Sequence, residues 1–93
     1  MTGKDYTMKE FTYTIKDALG LHARPAGSLV KLIKELGSTV MIEKEGKPAV
    51  SASALIKVMG LGVKCGETVR FTVEGGDEDA EVKAVEEFLN ENL

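Results

Sequence analysis

Apolar and polar residues alternate along three stretches of the chain. Alternation with a period of two is typical of strands that bury one face. The alternating apolar positions are Phe11, Tyr13 and Ile15 in the first stretch, Val40 and Ile42 in the second, and Val69, Phe71 and Val73 in the last. The pair Glu45-Gly46 suits a hairpin turn, so a shorter strand opened by Pro48 is predicted over 47–52. The chain is therefore expected to form four strands.

Two longer stretches have the spacing of amphipathic helices. The first helix is expected to begin near Ala23, because Pro25 suits a first helical position, and to stop at Gly37. Asp77 is predicted to cap the last helix, whose first turn is acidic. The predicted inward stripes are Leu29, Leu32, Ile33 and Leu36 in the first helix and Val82, Val85, Phe88 and Leu89 in the last.

A third, short helix is predicted over 54–59, before Gly60, with Ser53 as its N-cap and Ser51 as an alternative cap. The element order is then βαββαβα. One apolar stripe per helix and one apolar face per strand predict an α+β fold. In this two-layer open-faced sandwich, three helices cover one face of a largely antiparallel four-stranded sheet.

Length and charge narrow the class of protein. The 93 residues carry 12 basic and 15 acidic side chains, which fits one small domain and argues against a nucleic-acid partner. No apolar run reaches the length of roughly 18 residues that a membrane span needs. Residues 1–7 show no periodicity and are expected to be a flexible extension, with the domain over 8–93.

Cysteine and histidine are each present once, as Cys65 and His22. A zinc site of the paired-cysteine kind is therefore excluded, and neither a metal nor a cofactor is expected. Cys65 has no second cysteine to pair with and is interpreted as incidental. No apolar N-terminal stretch resembles a signal peptide, so a cytoplasmic location is expected.

The candidate chemistry lies where the first helix is predicted to begin. His22 stands at the helix entry and Arg24 follows two residues later. A helix N-terminus has unpaired N–H groups and partial positive charge, and a guanidinium binds phosphate oxygens, so an anion is expected there. A neutral imidazole could accept a phosphoryl group. The alternative is that His22 only caps the helix and that Arg24 is a solvated surface residue.

The segment 20–26 reads Gly-Leu-His-Ala-Arg-Pro-Ala and resembles the phosphorylation-site motif of HPr. HPr proteins are the phosphocarriers of the bacterial phosphoenolpyruvate-dependent sugar phosphotransferase system. The resemblance extends over about 8–89, with Gly46-Lys47, Leu61-Gly62 and 74–79 at the family's positions. It implies the sheet order 1-4-2-3.

The resemblance also implies the site and its partners. His22 would accept a phosphoryl group through Nδ1 from enzyme I and pass it to enzyme IIA domains, with Arg24 stabilising the phosphate. The surrounding framework would be Ala23, Pro25, Ala26 and Gly27. The protein would act as a stoichiometric carrier and not as an enzyme, and a carrier that presents one face to successive partners is expected to be a monomer. The alternatives are an HPr-like regulatory module that binds a transcriptional regulator or a metabolic enzyme, and an unrelated small-ligand module, which would leave the motif unexplained.

The short helix is a candidate docking surface. Its two turns cannot bury every apolar side chain, and in the family this helix and the start of the first helix meet the partners. The candidate docking residues are Leu55, Ile56, Lys57 and Met59, with Val58 as a further apolar position and Lys31 and Lys34 as surrounding charges.

Many family members carry a regulatory serine at the start of the short helix, which HPr kinase modifies. Counting forward from Gly46-Lys47 places Ser53 there, whereas counting back from Leu61-Gly62 places Ala54 there. Ser53 is therefore either the regulatory serine or only an N-cap, and the cap is favoured.

Overall fold

A computed structural model describes residues 8–36, 38–75 and 78–93. Its elements are β1 (Met8–Thr14), α1 (Ala23–Glu35), β2 (Thr39–Lys44), β3 (Val50–Ser51), α2 (Leu55–Gly60), β4 (Thr68–Glu74) and α3 (Glu78–Asn92). The strands form one antiparallel sheet in the order β1-β4-β2-β3. The predicted element order, sheet order and open-faced sandwich are confirmed.

The centre of the sheet is β4, which pairs with β1 on one side and β2 on the other. Phe71 is fully buried and pairs with Phe11 and with Ile42. The rings of Phe11 and Phe71 stack with their centroids 5.2 Å apart. On the same face of β1, the Tyr13 hydroxyl donates to the main-chain oxygen of Leu89, 3.0 Å away, and ties the edge strand to α3. The alternation therefore turns Phe11, Tyr13 and Phe71 toward the helices.

The opposite face of the sheet is polar. Thr12 pairs with Arg70 on the central strand, and Arg70 pairs with Glu43 on the next strand. The Arg70 guanidinium donates to the Glu43 carboxylate, and this interaction raises the pKa of Arg70. Opposite charges directly across neighbouring strands stabilise the strand pairing. Because these side chains are polar or charged, this face of the sheet is compatible with water.

Both long helices bury an apolar stripe with helical spacing, but the buried stripe of α1 is displaced around the helix from the predicted one. In α1 the buried side chains are Pro25, Ala26, Leu29, Val30 and Ile33, whereas Leu32 and Leu36 are only half-buried. The buried stripe therefore starts at Ala26 and continues through Leu29, Val30 and Ile33, at positions i, i+3, i+4 and i+7. In α3 the centre of the stripe, Val85 and Leu89, is buried, with Val82 and Phe88 half-buried beside it.

The predicted third strand is much shorter than expected. Val50 and Ser51 pair with β2, opposite Ile42 and Met41, and the Ala52 N–H donates to the Val40 carbonyl at 2.8 Å, so the connection is not a tight two-residue hairpin. A turn does form at Glu45-Gly46, where the Lys47 N–H donates to the Lys44 carbonyl at 3.0 Å. Residues 45–49 are exposed, and Pro48 has no N–H to offer to a ladder, so pairing starts only at Val50.

The prediction that Ser53 caps α2 is wrong, and so is the alternative cap Ser51. Ala54 is the N-cap residue and no side chain caps the helix. The Ser53 hydroxyl lies 2.8 Å from the Ser51 hydroxyl instead, and the Ala54 N–H donates to the Ser51 carbonyl. This turn makes Ala54 the last extended residue before the helix. The predicted extension over 1–7 and the predicted helix boundaries at Gly37 and Asp77 lie outside the described residues.

Candidate functional site

The loop before α1 positions the histidine. The Asp17 carbonyl accepts the Gly20 N–H at 2.8 Å, and the Asp17 Oδ1 accepts the Leu19 N–H at 2.8 Å. Gly20 has a φ of +73°, and a Cβ at this position would lie 2.5 Å from the Val63 oxygen. The Leu21 N–H donates to that same oxygen at 3.0 Å. Glycine is therefore required here both by the backbone angle and by the close approach of segment 63–65.

His22 occupies the N-cap position of α1 with an extended backbone, and its side chain makes no capping hydrogen bond. Its carbonyl accepts the Ala26 N–H at 3.0 Å. The imidazole is 33% exposed, and its Nε2 lies 3.6 Å from the Asp17 Oδ2. The main chain of His22 thus starts the helix, while the ring is left available for chemistry.

The first turn of α1 offers fewer N–H groups than the sequence suggests. Pro25 has no N–H, and the Ala26 N–H is already bonded to His22. The Gly27 N–H belongs to the regular helix ladder, which joins it to the Ala23 carbonyl. Ala23 and Arg24 have no helical carbonyl four residues earlier, so their N–H groups are the two that an anion could reach. Both residues are exposed, whereas Pro25 and Ala26 are buried beneath them.

A shallow depression of about 210 Å³ lies beside the ring. Its lining residues are Asp17, His22, Arg24, Pro25, Ser28 and Asn92. Sequence reasoning missed Asp17, Ser28 and Asn92 as site residues. Ser28 could have been found, because it follows Arg24 by four positions on one helix face. Asn92 comes from the last turn of α3, where its amide donates to the Phe88 carbonyl, and no local pattern links it to His22.

The short helix α2 presents apolar side chains to solvent. Ile56 is 85% exposed, and Leu55 and Met59 are 38% and 39% exposed, while Val58 is fully buried in the core. Lys57 is exposed among them. We call Leu55, Ile56, Lys57 and Met59 the α2 patch. Because α2 packs against α1 and β3, the patch belongs to the helical layer that carries the histidine.

Two lysines hold the C-terminal end of α2. The Lys47 Nζ donates to the Gly60 carbonyl at 3.4 Å, and the Lys44 Nζ donates to the Gly62 carbonyl at 3.1 Å. Lys44 also pairs with Glu67 at 2.9 Å. Hydrogen bonds to the last carbonyls of a helix favour its termination there. The turn between β2 and β3 therefore anchors the helix that bears the patch.

The remaining candidate residues are dispersed. Lys31 and Lys34 are exposed on α1, and Ser53 is half-buried before α2. Cys65 is exposed, with its Sγ 3.7 Å from the Lys16 carbonyl. Over 8–36, 38–75 and 78–93, no group of three or more His, Cys, Asp or Glu side chains is arranged to hold a metal ion. None of the helices in this part of the chain is both long and apolar enough to cross a membrane.

Known proteins are similar to this chain in sequence and in fold. Residues 9–91 match the family described as "PTS HPr component phosphorylation site". The chain is 38% identical over 84 residues to the phosphocarrier protein HPr of Lysinibacillus sphaericus, covering 90% of this chain and 94% of that protein. It is 37% identical over 84 residues to the multiphosphoryl transfer protein of Escherichia coli O157:H7.

The match to this last protein covers 87% of the present chain but only 22% of the relative, so the chain spans about a fifth of the multiphosphoryl transfer protein. Among solved structures, HPr-C-His from Thermoanaerobacter tengcongensis superposes with a TM-score of 0.82 at 38% identity, covering 88% of this chain and 91% of that one. The family match, the near full-length relative and the structural neighbour agree. The chain belongs to the HPr family, the phosphocarrier proteins of the phosphotransferase system.

Proposed function

We propose that His22 accepts a phosphoryl group from phosphorylated enzyme I and passes it to an enzyme IIA domain. The observation that carries this proposal is the placement of the ring. It is partly exposed at the start of α1 and makes no capping bond, and Arg24 lines the depression beside it. A nucleophile at this place lies next to a helix N-terminus and a guanidinium, both of which favour negative charge.

The transfer itself needs one nitrogen lone pair. The Nδ1 lone pair of neutral His22 attacks phosphorus, a nitrogen–phosphorus bond forms, and the donor's bond to phosphorus breaks with its electron pair returning to the donor. Arg24 and the N–H groups of Ala23 and Arg24, at the start of α1, would stabilise the phosphoryl oxygens. Passing the group on reverses these events. Because another protein supplies or takes the phosphoryl group in each step, the chain works as a carrier, without a cofactor.

Partner binding is assigned to the α2 patch and the exposed start of α1. Exposed apolar side chains such as Ile56 form the contact, and desolvation of such side chains dominates the affinity of small interfaces. Lys57, Lys31 and Lys34 would attract acidic partners and raise the rate of encounter. We place this exchange in the cytoplasm and expect a monomer, because successive partners must reach the same face.

Phosphorylation of Ser53 by a dedicated kinase stays a prediction. The hydroxyl is half-buried and hydrogen-bonded to Ser51, one residue before the N-cap of α2, so a kinase would have to open this turn. Phosphate at this position would add about −2 charge close to the α2 patch and weaken partner binding. Equal labelling of the parent and Ser53→Ala by the kinase would refute this site.

The carrier function is tested by intact mass spectrometry with purified enzyme I and phosphoenolpyruvate. We expect one acid-labile phosphoryl group on the parent chain and none on His22→Ala. The donor must first be shown to charge another carrier. An active enzyme I from the same organism that adds nothing to the parent would refute the proposal and favour a regulatory interaction module.

A further inference from the structure

The Asp17 carboxylate is held in a fixed position near the histidine. Its Oδ1 accepts the Leu19 N–H at 2.8 Å. The Asp17 main chain is bonded on both sides, since its N–H donates to a Leu93 oxygen at 2.9 Å and its carbonyl accepts the Gly20 N–H at 2.8 Å. One carboxylate oxygen is thus used to build the loop, and the other is left to face the site.

That second oxygen, Oδ2, lies 3.6 Å from the His22 Nε2, and the two side chains are 29% and 33% exposed. A neutral imidazole carries its proton on only one of its two nitrogens, and the neighbours of each nitrogen determine which. A carboxylate beside Nε2 lowers the energy of the tautomer with the proton on Nε2. The lone pair then remains on Nδ1.

We propose that Asp17 is a positioning residue that keeps the proton of His22 on Nε2, so that Nδ1 is the nucleophile. This inference rests on the proposed function and adds a residue to its site. When Nδ1 bonds to phosphorus, the ring keeps its Nε2 proton and becomes positively charged, and Asp17 stabilises that charge. When the phosphoryl group departs, the electron pair returns to Nδ1 and the ring is neutral again. No proton has to move in either direction.

The substitution Asp17→Asn changes the charge and hydrogen-bonding character of the group that faces Nε2 while it keeps the structure of the loop. The amide oxygen can still accept the Leu19 N–H, so the loop is preserved, but the group facing Nε2 becomes an N–H donor. Nε2 would then act as an acceptor and the proton would move to Nδ1. The matched control is Asp79→Asn, an acid that is 84% exposed at the opposite end of α3, about 20 Å along the helix from Asn92.

The tautomer is measured from the ¹⁵N chemical shifts of the His22 ring in the full chain, at a pH where the ring is neutral. We expect the Nε2–H form to dominate in the parent and in Asp79→Asn, and the Nδ1–H form to increase in Asp17→Asn. The rate of phosphorylation by enzyme I should fall about three- to tenfold in Asp17→Asn, in proportion to the lost Nε2–H fraction.

Identical ring shifts in the parent and Asp17→Asn would overturn the inference, even if phosphorylation slowed, because the residue would then act only through the loop. A dominant Nδ1–H form in the parent would overturn it as well. The ring shifts are recorded without any partner protein, so they are independent of whether enzyme I is the donor. A tautomer change with no phosphorylation of the parent would refute the proposed function, and an unchanged tautomer with normal phosphorylation would refute only the role of Asp17.

Discussion

Replacing Gly20 by alanine should lower the free energy of unfolding more than the same change at Gly62. Two costs add at this position. An L-residue in the left-handed region costs about 1–2 kcal/mol, and Gly20 has a φ of +73°. The new Cβ would also lie 2.5 Å from the Val63 oxygen and 2.8 Å from the Lys64 Cα, both backbone atoms. Forcing packed backbone apart costs typically about 1–3 kcal/mol.

The sum is about 2–5 kcal/mol, a large fraction of the roughly 5–14 kcal/mol expected for a domain of this length. The assay is urea unfolding followed by far-ultraviolet circular dichroism, in which Gly20→Ala should lower the midpoint without changing the slope. Gly62→Ala is the matched control, because Gly62 has a φ of +64° but nothing lies within 4 Å of its added Cβ. The control carries the backbone cost alone.

An equal loss of stability in the two variants would refute the reasoning, because the close contact with segment 63–65 would then contribute nothing. A functional consequence follows from the same geometry. The Leu21 N–H bonds to the Val63 oxygen that the new methyl group would displace, so His22 should also lose its fixed position. Phosphorylation of folded Gly20→Ala should therefore be slower than that of folded Gly62→Ala.

Two further predictions concern an ion pair and the α2 patch. Hydrogen bonds from the Lys44 side chain and, to a smaller extent, from the Lys64 N–H lower the pKa of Glu67 below its ordinary value of 4.5. The ionised Glu67 therefore stabilises the folded chain above pH 4.5, and this stabilisation is lost as the pH falls through the lowered pKa. When the pH is lowered from about 5.5 to about 3, the free energy of unfolding in urea should therefore fall less for Glu67→Gln than for the parent. The same pH dependence in both proteins would contradict this prediction. Ile56→Asp should slow transfer from enzyme I roughly tenfold without shifting the urea midpoint, because Ile56 is 85% exposed. Met8→Asp, at an apolar residue 49% exposed on β1, is its control, and an equal slowing by both variants would argue against docking at α2.

Local patterns along the chain were sufficient to predict most of the architecture. Alternation marked the strands because a pleated strand turns successive side chains to opposite faces, and Phe71 is buried as its pattern requires. The start of α1 was predicted equally well, because Pro25 favours the first turn of a helix, and His22 does stand immediately before the helix. The family resemblance of segment 20–26 added the sheet order, which periodicity does not contain.

Predictions failed where neighbouring residues compete for the same role. Ser53 and Ser51 were the candidate N-caps of α2, but the turn closed by the Ala54 N–H on the Ser51 carbonyl makes Ala54 the N-cap. The third strand was overestimated because turn residues predict a hairpin but not how far its ladder extends. The strand there consists of Val50 and Ser51, followed by one further bond from the Ala52 N–H to the Val40 carbonyl.

The sequence by itself determined the four strands and the three helices, because each depends on the spacing of residues close together in the chain. Through the family resemblance of segment 20–26 it also made His22 the candidate nucleophile. Only the tertiary structure decided what surrounds this histidine. It brings Asn92 of α3 into the depression beside His22, and it holds Asp17 between the histidine and Leu93. Such neighbours are set by helix packing on the sheet and by loop hydrogen bonds, which join residues that local sequence patterns do not connect.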